Sequence, residues 1–334
     1  MKRFIYLIYY FKKMNWKQLR HFLIYTSGHT KRTYLGLLWS AISDSLRYNI
    51  SLLEYFQFRF FEKAKEEKIN WAGTGFMYEF QRTMNPPEVR GILDDKRLFY
   101  KYYGTYMLHQ VADLVLLKQN ATVARQLLNN PSGRIVFKGA TGKCGAEVSV
   151  RNTSEFTPAS LVLYLENSPY DLVEEFIIQH SDLNDLSPSA VNTVRIFTQL
   201  NLENEVDILG CRLRISVNSK VDNLAAGNMA APIDEKTGIV TGKGVYSDIA
   251  KKAESVHPVT HKGIEGYVIP FWYETLDLVK KAAKMHPQNR SIGWDVVITE
   301  KGPGLIEGNH DWCKLLWQLP VKKGLKNELL KYIK

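Results

Sequence analysis

Near its C-terminus the chain reads GWDVVITEKGPGLIEGNHDW, Gly293 to Trp312, and this stretch restricts the fold more tightly than any other. GWDVVIT and LIEGN read as two short strands, and EKGPG between them supplies the glycine and proline that a hairpin loop of this length uses. Side chains alternate across a strand, so Glu307 and Asn309 point the same way, and folding about Lys301 or Gly302 sets Asp295 opposite one of them. Three oxygen donors then share one face. Two carboxylates side by side on a half-buried ribbon repel unless something positive lies between them, and hard oxygen donors suit Mg2+ with its bound phosphates. One expectation is a metal clamp for ATP built from Asp295, Glu307 and Asn309. The competing one is a surface hairpin whose acids face water, and the rest of the chain has to decide.

At 334 residues the chain can bury a large core in two or three lobes. Lys and Arg outnumber Asp and Glu by 44 to 34, which suits an anionic partner such as a nucleotide, phosphosugar, nucleic acid or acidic membrane. A nucleic acid is disfavoured, because neither a recognised binding motif nor a continuous basic stripe is present. Cys144, Cys211 and Cys313 lack the paired spacing of a zinc site or disulfide, which fits a reducing cytoplasm. The opening MKRFIYLIYYFKKM has too short an apolar run for a leader, and Lys12 and Lys13 follow it in place of a cleavage site. No apolar segment approaches the ~20 residues that cross a bilayer. The expected location is therefore the cytoplasm, soluble or peripheral at the inner face of the membrane.

Residues 1–85, rich in Tyr, Phe, Lys and Arg, read as successive helices, with Ser43 or Asp44 capping the one that begins at Ser45. Phe4, Tyr6, Tyr9, Tyr10 and Phe11 suit either an anionic surface or partner, or packing on the body of the protein, the commoner fate of such stripes. Asn85-Pro86-Pro87 breaks the helical pattern and marks a boundary, with a second lobe over 86–190 and a third over 191–334. In the second lobe LDDKRLFYKYYG reads as a short helix begun by Asp94 or Asp95 and ended at Gly104. VADLVLLKQ, RIVFKG and AEVSV read as strands, and ATVARQLLNN as a helix closed by Pro131 and Gly133.

In RIVFKGATGKCGAEVSV, Lys138 ends an apolar strand and a glycine-rich turn, Gly139 to Gly145, leads into the next. Glycine lets backbone N–H groups approach phosphate oxygens, and Thr141 and Lys143 add a hydroxyl and a charge beside Gly142. This is no Walker A loop: Phe137 stands where a glycine is required, Cys144 where Ser or Thr is, and a strand follows instead of a helix. A phosphate-covering hairpin and an ordinary flexible one both remain open. LVEEFI carries Glu174 and Glu175, which face opposite sides of a strand. Backbone groups at Glu175 and Ile177 are placed to pair with an adenine edge, and Glu174 to accept from a ribose hydroxyl, unless the pair is an exposed strand end. CRLRIS sets Arg212 and Arg214 on one face, and Arg195 lies on another strand, NTVRIF; forked guanidiniums suit phosphoryl or carboxylate groups. Asn192, Asn223 and Asn228 are candidate polar contacts to substrate. His257 and His261 straddle Pro258, which argues against a helical metal pair, and His310 only adjoins the metal strand.

In order and rough spacing, Lys96, Lys138 with its glycine hairpin, VEEFI and the Asp295–Glu307–Asn309 hairpin resemble ATP-grasp enzymes. NTVRIFT (192–198), VDNLAAGNMAAPID (221–234) and GWDVVITEKGPGLIEGN (293–309) resemble the ATP-grasp group associated with sugar transfer and polysaccharide synthesis. The resemblance spans about 75 to 315 and departs from the family's three-lobed plan at the N-terminus, where helices replace a Rossmann-like unit. It implies an α+β fold of two lobes gripping ATP, with Lys96 and Lys138 as the ATP lysines and the Gly139 to Gly145 hairpin as a lid. Glu174, Glu175, Phe176 and Ile177 become the adenine and ribose hinge, and Asp295, Glu307 and Asn309 the Mg2+ ligands. The implied activity is carboxylate–amine ligation through an acyl phosphate, joining an amino acid or other amine to a sugar acid or amino sugar in a surface polysaccharide. The sugar is free, nucleotide-linked or lipid-linked. Phosphotransfer to a sugar hydroxyl is the alternative.

Overall fold

A computed structural model describes residues 2–12, 14–141 and 148–333. The N-terminal region is helical, with helices Lys2–Lys12, Trp16–Thr30, Tyr34–Tyr48 and Leu52–Gln57. Short polar residues set the boundaries. Asn15, Thr33 and Ser51 each accept a backbone N–H of the first turn, and Ser51 with Glu54 closes a reciprocal capping box. Lys31 and Asn49, both in the left-handed region, end the second and third helices. The cap expected at Ser43 or Asp44 is therefore corrected. Both lie inside Tyr34–Tyr48, whose start is fixed by Thr33, and Asp44 instead pairs with Lys68 at 2.7 Å. Of the N-terminal aromatics, Tyr10 is buried, Tyr6 donates to Glu79 at 3.1 Å, and Tyr9 is exposed; the side chain of Phe4 is outside the description.

Helix Thr74–Met84 stops at Asn85, whose amide donates to the carbonyls of Ser291 and His310 and accepts from the Ser291 N–H. The proline break thus doubles as a bolt onto the C-terminal hairpin.

A four-stranded antiparallel sheet follows, with β1 Val111–Asp113, β2 Arg134–Lys138, β3 Val148–Asn152 and β4 Leu172–Glu175 in the order β1-β4-β2-β3. VADLVLLKQ is not one strand. After Asp113 the chain turns into helix Leu114–Gln119, because the Asp113 carboxylate caps it by accepting from Leu116 N–H at 2.8 Å. Helices Lys96–Tyr103, capped by Asp95, and Ala121–Leu128 form where the sequence places them. Leu117, Leu127, Ile135, Phe137, Leu161 and Val173 fill the core against this sheet.

The larger sheet has five antiparallel strands, β5 Val194–Leu200, β6 Val206–Ile215, β7 Met229–Ile233, β8 Ser291–Thr299 and β9 Gly302–Asn309, ordered β7-β6-β5-β8-β9. Central β5 is buried at every position, as a strand covered on both faces must be. Ile196 and Trp294 join one core cluster with Val279 and Ala282 of helix Trp272–Met285. Phe197 packs against Trp312 in a second cluster that holds Phe80 and Trp317. The architecture is α+β with a helical N-terminal region.

Candidate active site

Strand register assembles the charged groups. Arg212, Arg195, Asp295 and Glu307 pair in turn across β6, β5, β8 and β9, so four neighbouring strands carry them on one face of the large sheet. Between β8 and β9 the register slips by one after Asp295: Asp295 pairs with Glu307 and Val296 with Leu305, which leaves Ile306 as a bulge. Without that extra residue the alternation that lines up Glu307 with Asp295 would not also satisfy the turn at Gly302.

Asp295 is the hub. Its Oδ1 accepts from Arg195 Nε at 2.5 Å, and its Oδ2 accepts from Arg195 Nη2 at 2.9 Å and Arg214 Nη1 at 2.8 Å. Arg214 reaches on to Asp222 at 2.5 Å, and Asp222 accepts from both the N–H and the hydroxyl of Thr193. Burial alone would raise the Asp295 carboxyl, yet the Arg195 and Arg214 guanidiniums hold it well below the carboxylate range. Glu307 goes the other way: burial and then the Asp295 charge push its carboxyl up. Burial likewise raises Asp222 in spite of Arg214. Counting Asp222, Asp295 and Glu307 against Arg195 and Arg214, one carboxylate remains unmatched.

That excess is the test for a divalent cation. Glu307 stands beside Asp295 on the same face of the sheet, and the Asn309 side chain reaches the Glu307 carboxylate from two positions along β9. Asn309 donates its amide N–H to Glu307 at 3.2 Å and to the Gly293 carbonyl at 3.3 Å, which turns its oxygen away from them. Carboxylate and amide oxygens are hard donors of the kind that suit Mg2+. Among the described residues no group of three His, Cys, Asp or Glu side chains is arranged around a common point.

A second cluster of charged candidates lies on the small sheet. Buried Glu174 of β4 accepts from Lys138 Nζ of β2 at 2.5 Å, and His109 Nε2 lies 3.7 Å from the same carboxylate. Burial works against the Glu174 charge, but Lys138, His109 and Lys96 outweigh it and lower the carboxyl. The two lysines named from the sequence therefore converge on one acid, although they stand 42 positions apart. Backbone bonds fix that approach: Lys96 N–H donates to the Ala140 carbonyl at 2.9 Å, and the Asp171 carboxylate accepts from Ala140 N–H at 2.7 Å. Gly139 is buried and Thr141 exposed; Gly142, Lys143 and Cys144 lie outside the described residues.

Several sequence candidates have structural tasks. Arg212 donates to the Trp317 and Cys211 carbonyls and is buried there, so it pins the C-terminal helix and not Asp295. Asn192 is wholly buried: its amide donates to Gln179, Ser187 and Ala190, and its oxygen accepts from Ser216. Asn228 bonds Val217, Val221 and Asn223 in the same manner, and Asn223 caps the turn at Leu224–Ala226. Glu174 holds Lys138 in place of a ribose. The Glu175 N–H is engaged by the Gln110 carbonyl and that of Phe176 by Arg134, whose guanidinium stacks 3.7 Å from the Phe176 ring centre; Ile177 is half-buried on the way out. Asp222, Thr193, His109 and Asp171 escaped sequence reading. Each lies in an irregular segment, with no periodicity or paired spacing to mark it.

A family model described as sugar-transfer-associated ATP-grasp matches residues 76–334, most of the chain, and the chain belongs to that family. It is thus an ATP-grasp enzyme. Solved structures similar to it include a RimK-domain ATP-grasp protein from Sphaerobacter thermophilus (11% identity, 73% of this chain and 69% of that one, TM-score 0.38). Others are the ATP-grasp ligase PsnB complexed with a minimal precursor (10%, 78% and 68%, 0.42) and D-alanyl-alanine synthetase A from Vibrio cholerae (10%, 72% and 63%, 0.40). No curated protein matches the chain.

Proposed function

We propose that the protein is an ATP-dependent carboxylate–amine ligase of the cytoplasm that forms an amide in surface polysaccharide synthesis, joining an amino acid or other amine to a sugar acid or amino sugar. The observation that carries the reading is the Arg195–Asp295–Arg214 ion-pair cluster facing Glu307 and Asn309. We place the lobe boundaries near residues 86 and 191. Mg-ATP supplies the phosphoryl group that activates the carboxylate, and the acyl phosphate so formed is attacked by the amine, giving amide, ADP and phosphate.

The residues divide that work. Glu174 holds Lys138 by a hydrogen bond, with Lys96 close enough to act on the same carboxylate, so the lysine pair is preset for phosphate oxygens and loses little freedom on binding. The segment Glu174–Ile177 borders the nucleotide; the glycine-rich stretch after Lys138 that would cover its phosphates lies, from Gly142 to Glu147, outside the described residues. Glu307 and Asn309, beside Asp295, would hold Mg2+. Arg195 and Arg214 are locked in place by Asp295 and Asp222, so their field on the transferring group needs no rearrangement during reaction.

Hydroxylamine added to enzyme, ATP and a pool of amino and uronic acids tests the reading. A ligase yields a hydroxamate and releases ADP, whereas transfer to a hydroxyl yields a stable phosphoester and no hydroxamate. Glu307→Gln should lower ADP release by at least roughly a hundredfold without loss of fold, because a neutral amide is a poor Mg2+ ligand. Unchanged turnover would take the hairpin out of the active site.

A further inference from the structure

Charge is distributed very unevenly along the chain. The first 50 residues contain nine Lys and Arg and one acid, Asp44, while the other 284 contain 35 basic and 33 acidic residues; eight of the ten net positive charges thus lie in the first 50. The one acid is taken up by Lys68 at 2.7 Å.

The same segment exposes its largest apolar side chains. Helices Trp16–Thr30 and Tyr34–Tyr48 form a hairpin whose inner faces, Leu19, Phe22, Leu37 and Ala41, are buried near Tyr55 and Phe56. With that side filled, Trp16 (59% exposed), Leu35 (81%) and Trp39 (75%) stand outside. Leu35 and Trp39, four positions apart, share a helix face one turn from the exposed corner at Lys31 and Arg32. Trp16, Arg20 and Ile24 repeat the arrangement on the other helix. Arg32 lies back along the second helix, donating to Ser40 Oγ at 2.7 Å, and borders an open cleft of about 300 Å³ with Trp39 and Lys68.

We propose that this hairpin corner is a peripheral docking surface for an anionic bilayer, with Leu35 and Trp39 entering the headgroup layer and Lys31, Arg32 and Arg20 meeting lipid phosphates. The exposed apolar side chains are single and interleaved with cations. That pattern suits an interface where each ring finds apolar chains below and charged headgroups around it, whereas a protein partner needs a continuous dry patch. Charge complementarity selects acidic lipid. Among the described residues no helix is long and apolar enough to cross a membrane, so contact is by surface and not by insertion of a span. The inference does not depend on which reaction the enzyme catalyses.

Sedimentation of the full chain with phosphatidylcholine vesicles, with and without phosphatidylglycerol, tests it. The protein should pellet with the acidic vesicles, stay in solution with the neutral ones, and be released by salt. Leu35→Ser with Trp39→Ser should weaken binding by about tenfold or more, and Lys31→Glu with Arg32→Glu at least as much. ADP release per folded molecule should be unaffected in both variants, and the melting temperature in Leu35→Ser with Trp39→Ser; the charge-reversal pair also loses the Arg32–Ser40 hydrogen bond and is compared at equal folded fraction. Absence of wild-type binding, equal binding to neutral vesicles, or variants that bind like wild type would overturn the proposal. So would self-association through this face that Trp39→Ser abolishes while vesicle binding persists.

Discussion

Asp295 shows how one residue's neighbours set its role. Three guanidinium contacts engage its carboxylate, so its first task is to fix Arg195 and Arg214 and balance their charge inside a buried site. Asp295→Asn should leave two buried cations short of a counter-charge and cost about 3 kcal/mol of stability, read from urea unfolding. Glu307 is the contrast. Burial and Asp295 already disfavour its charge, so Glu307→Gln should leave the unfolding midpoint unchanged or raise it slightly while turnover collapses. A midpoint loss in Glu307→Gln equal to that of Asp295→Asn would contradict this division between an anchor and a ligand. Glycine matters here too: a Cβ at Gly293 would lie 2.6 Å from Trp312, beside the Arg195 side chain.

At the scale of elements, the antiparallel sheet decides which arginine serves the site. Arg212 and Arg214 share a strand face in the sequence reading, but helix Lys314–Gln318 offers the Trp317 carbonyl to Arg212, while Arg214 and Arg195 turn to Asp295. Arg212→Lys loses the forked contact and should destabilise the fold by about 2 kcal/mol, while ADP release per folded molecule stays within a factor of about two. A specific loss of turnover at full stability would return Arg212 to the active site. The Ile306 bulge acts at the same scale, because it fixes the pairing of Glu307 with Asp295. The hairpin itself was legible from alternation and turn residues; the bulge was not, since no residue type announces it. VADLVLLKQ was misread for a related reason, its apolar run being ambiguous between strand and helix until the Asp113 cap is seen.

For the whole molecule, Glu54 ties the helical N-terminal region to the catalytic body. It accepts from Lys314 at 2.8 Å, from the Thr74 hydroxyl and N–H, and from Ser51 N–H, and it is buried. Burial would raise its carboxyl, but Lys314 and these donors lower it below the ordinary value of about 4.5. Because the folded value is depressed, the stabilisation is complete above about 4.5 and is lost as pH falls below it. Glu54→Gln offers one acceptor oxygen in place of two and should cost about 3 kcal/mol at neutral pH, with a flatter stability profile in acid than wild type. Equal acid profiles for the two proteins would show that the junction is not held by this charge.

The sequence alone determined the residue types and their order: two lysines, a glycine-rich turn, an acidic pair on a strand, and a ribbon bearing Asp295, Glu307 and Asn309, enough to place the chain in its family. Those signals are local, fixed by strand alternation and turn chemistry. Only the tertiary structure decided which charges meet. Asp222 joins Arg214, His109 approaches Glu174, Arg212 turns to Trp317, and Asn192 is consumed by a loop, because a buried polar group takes whichever partner the packing brings within about 3 Å. His109 and Glu174 stand 65 positions apart and Arg212 and Trp317 105, beyond the reach of any spacing rule, while Arg214 with Asp222 and Asn192 with Ser187 are near in sequence and meet only because of how the intervening loop folds.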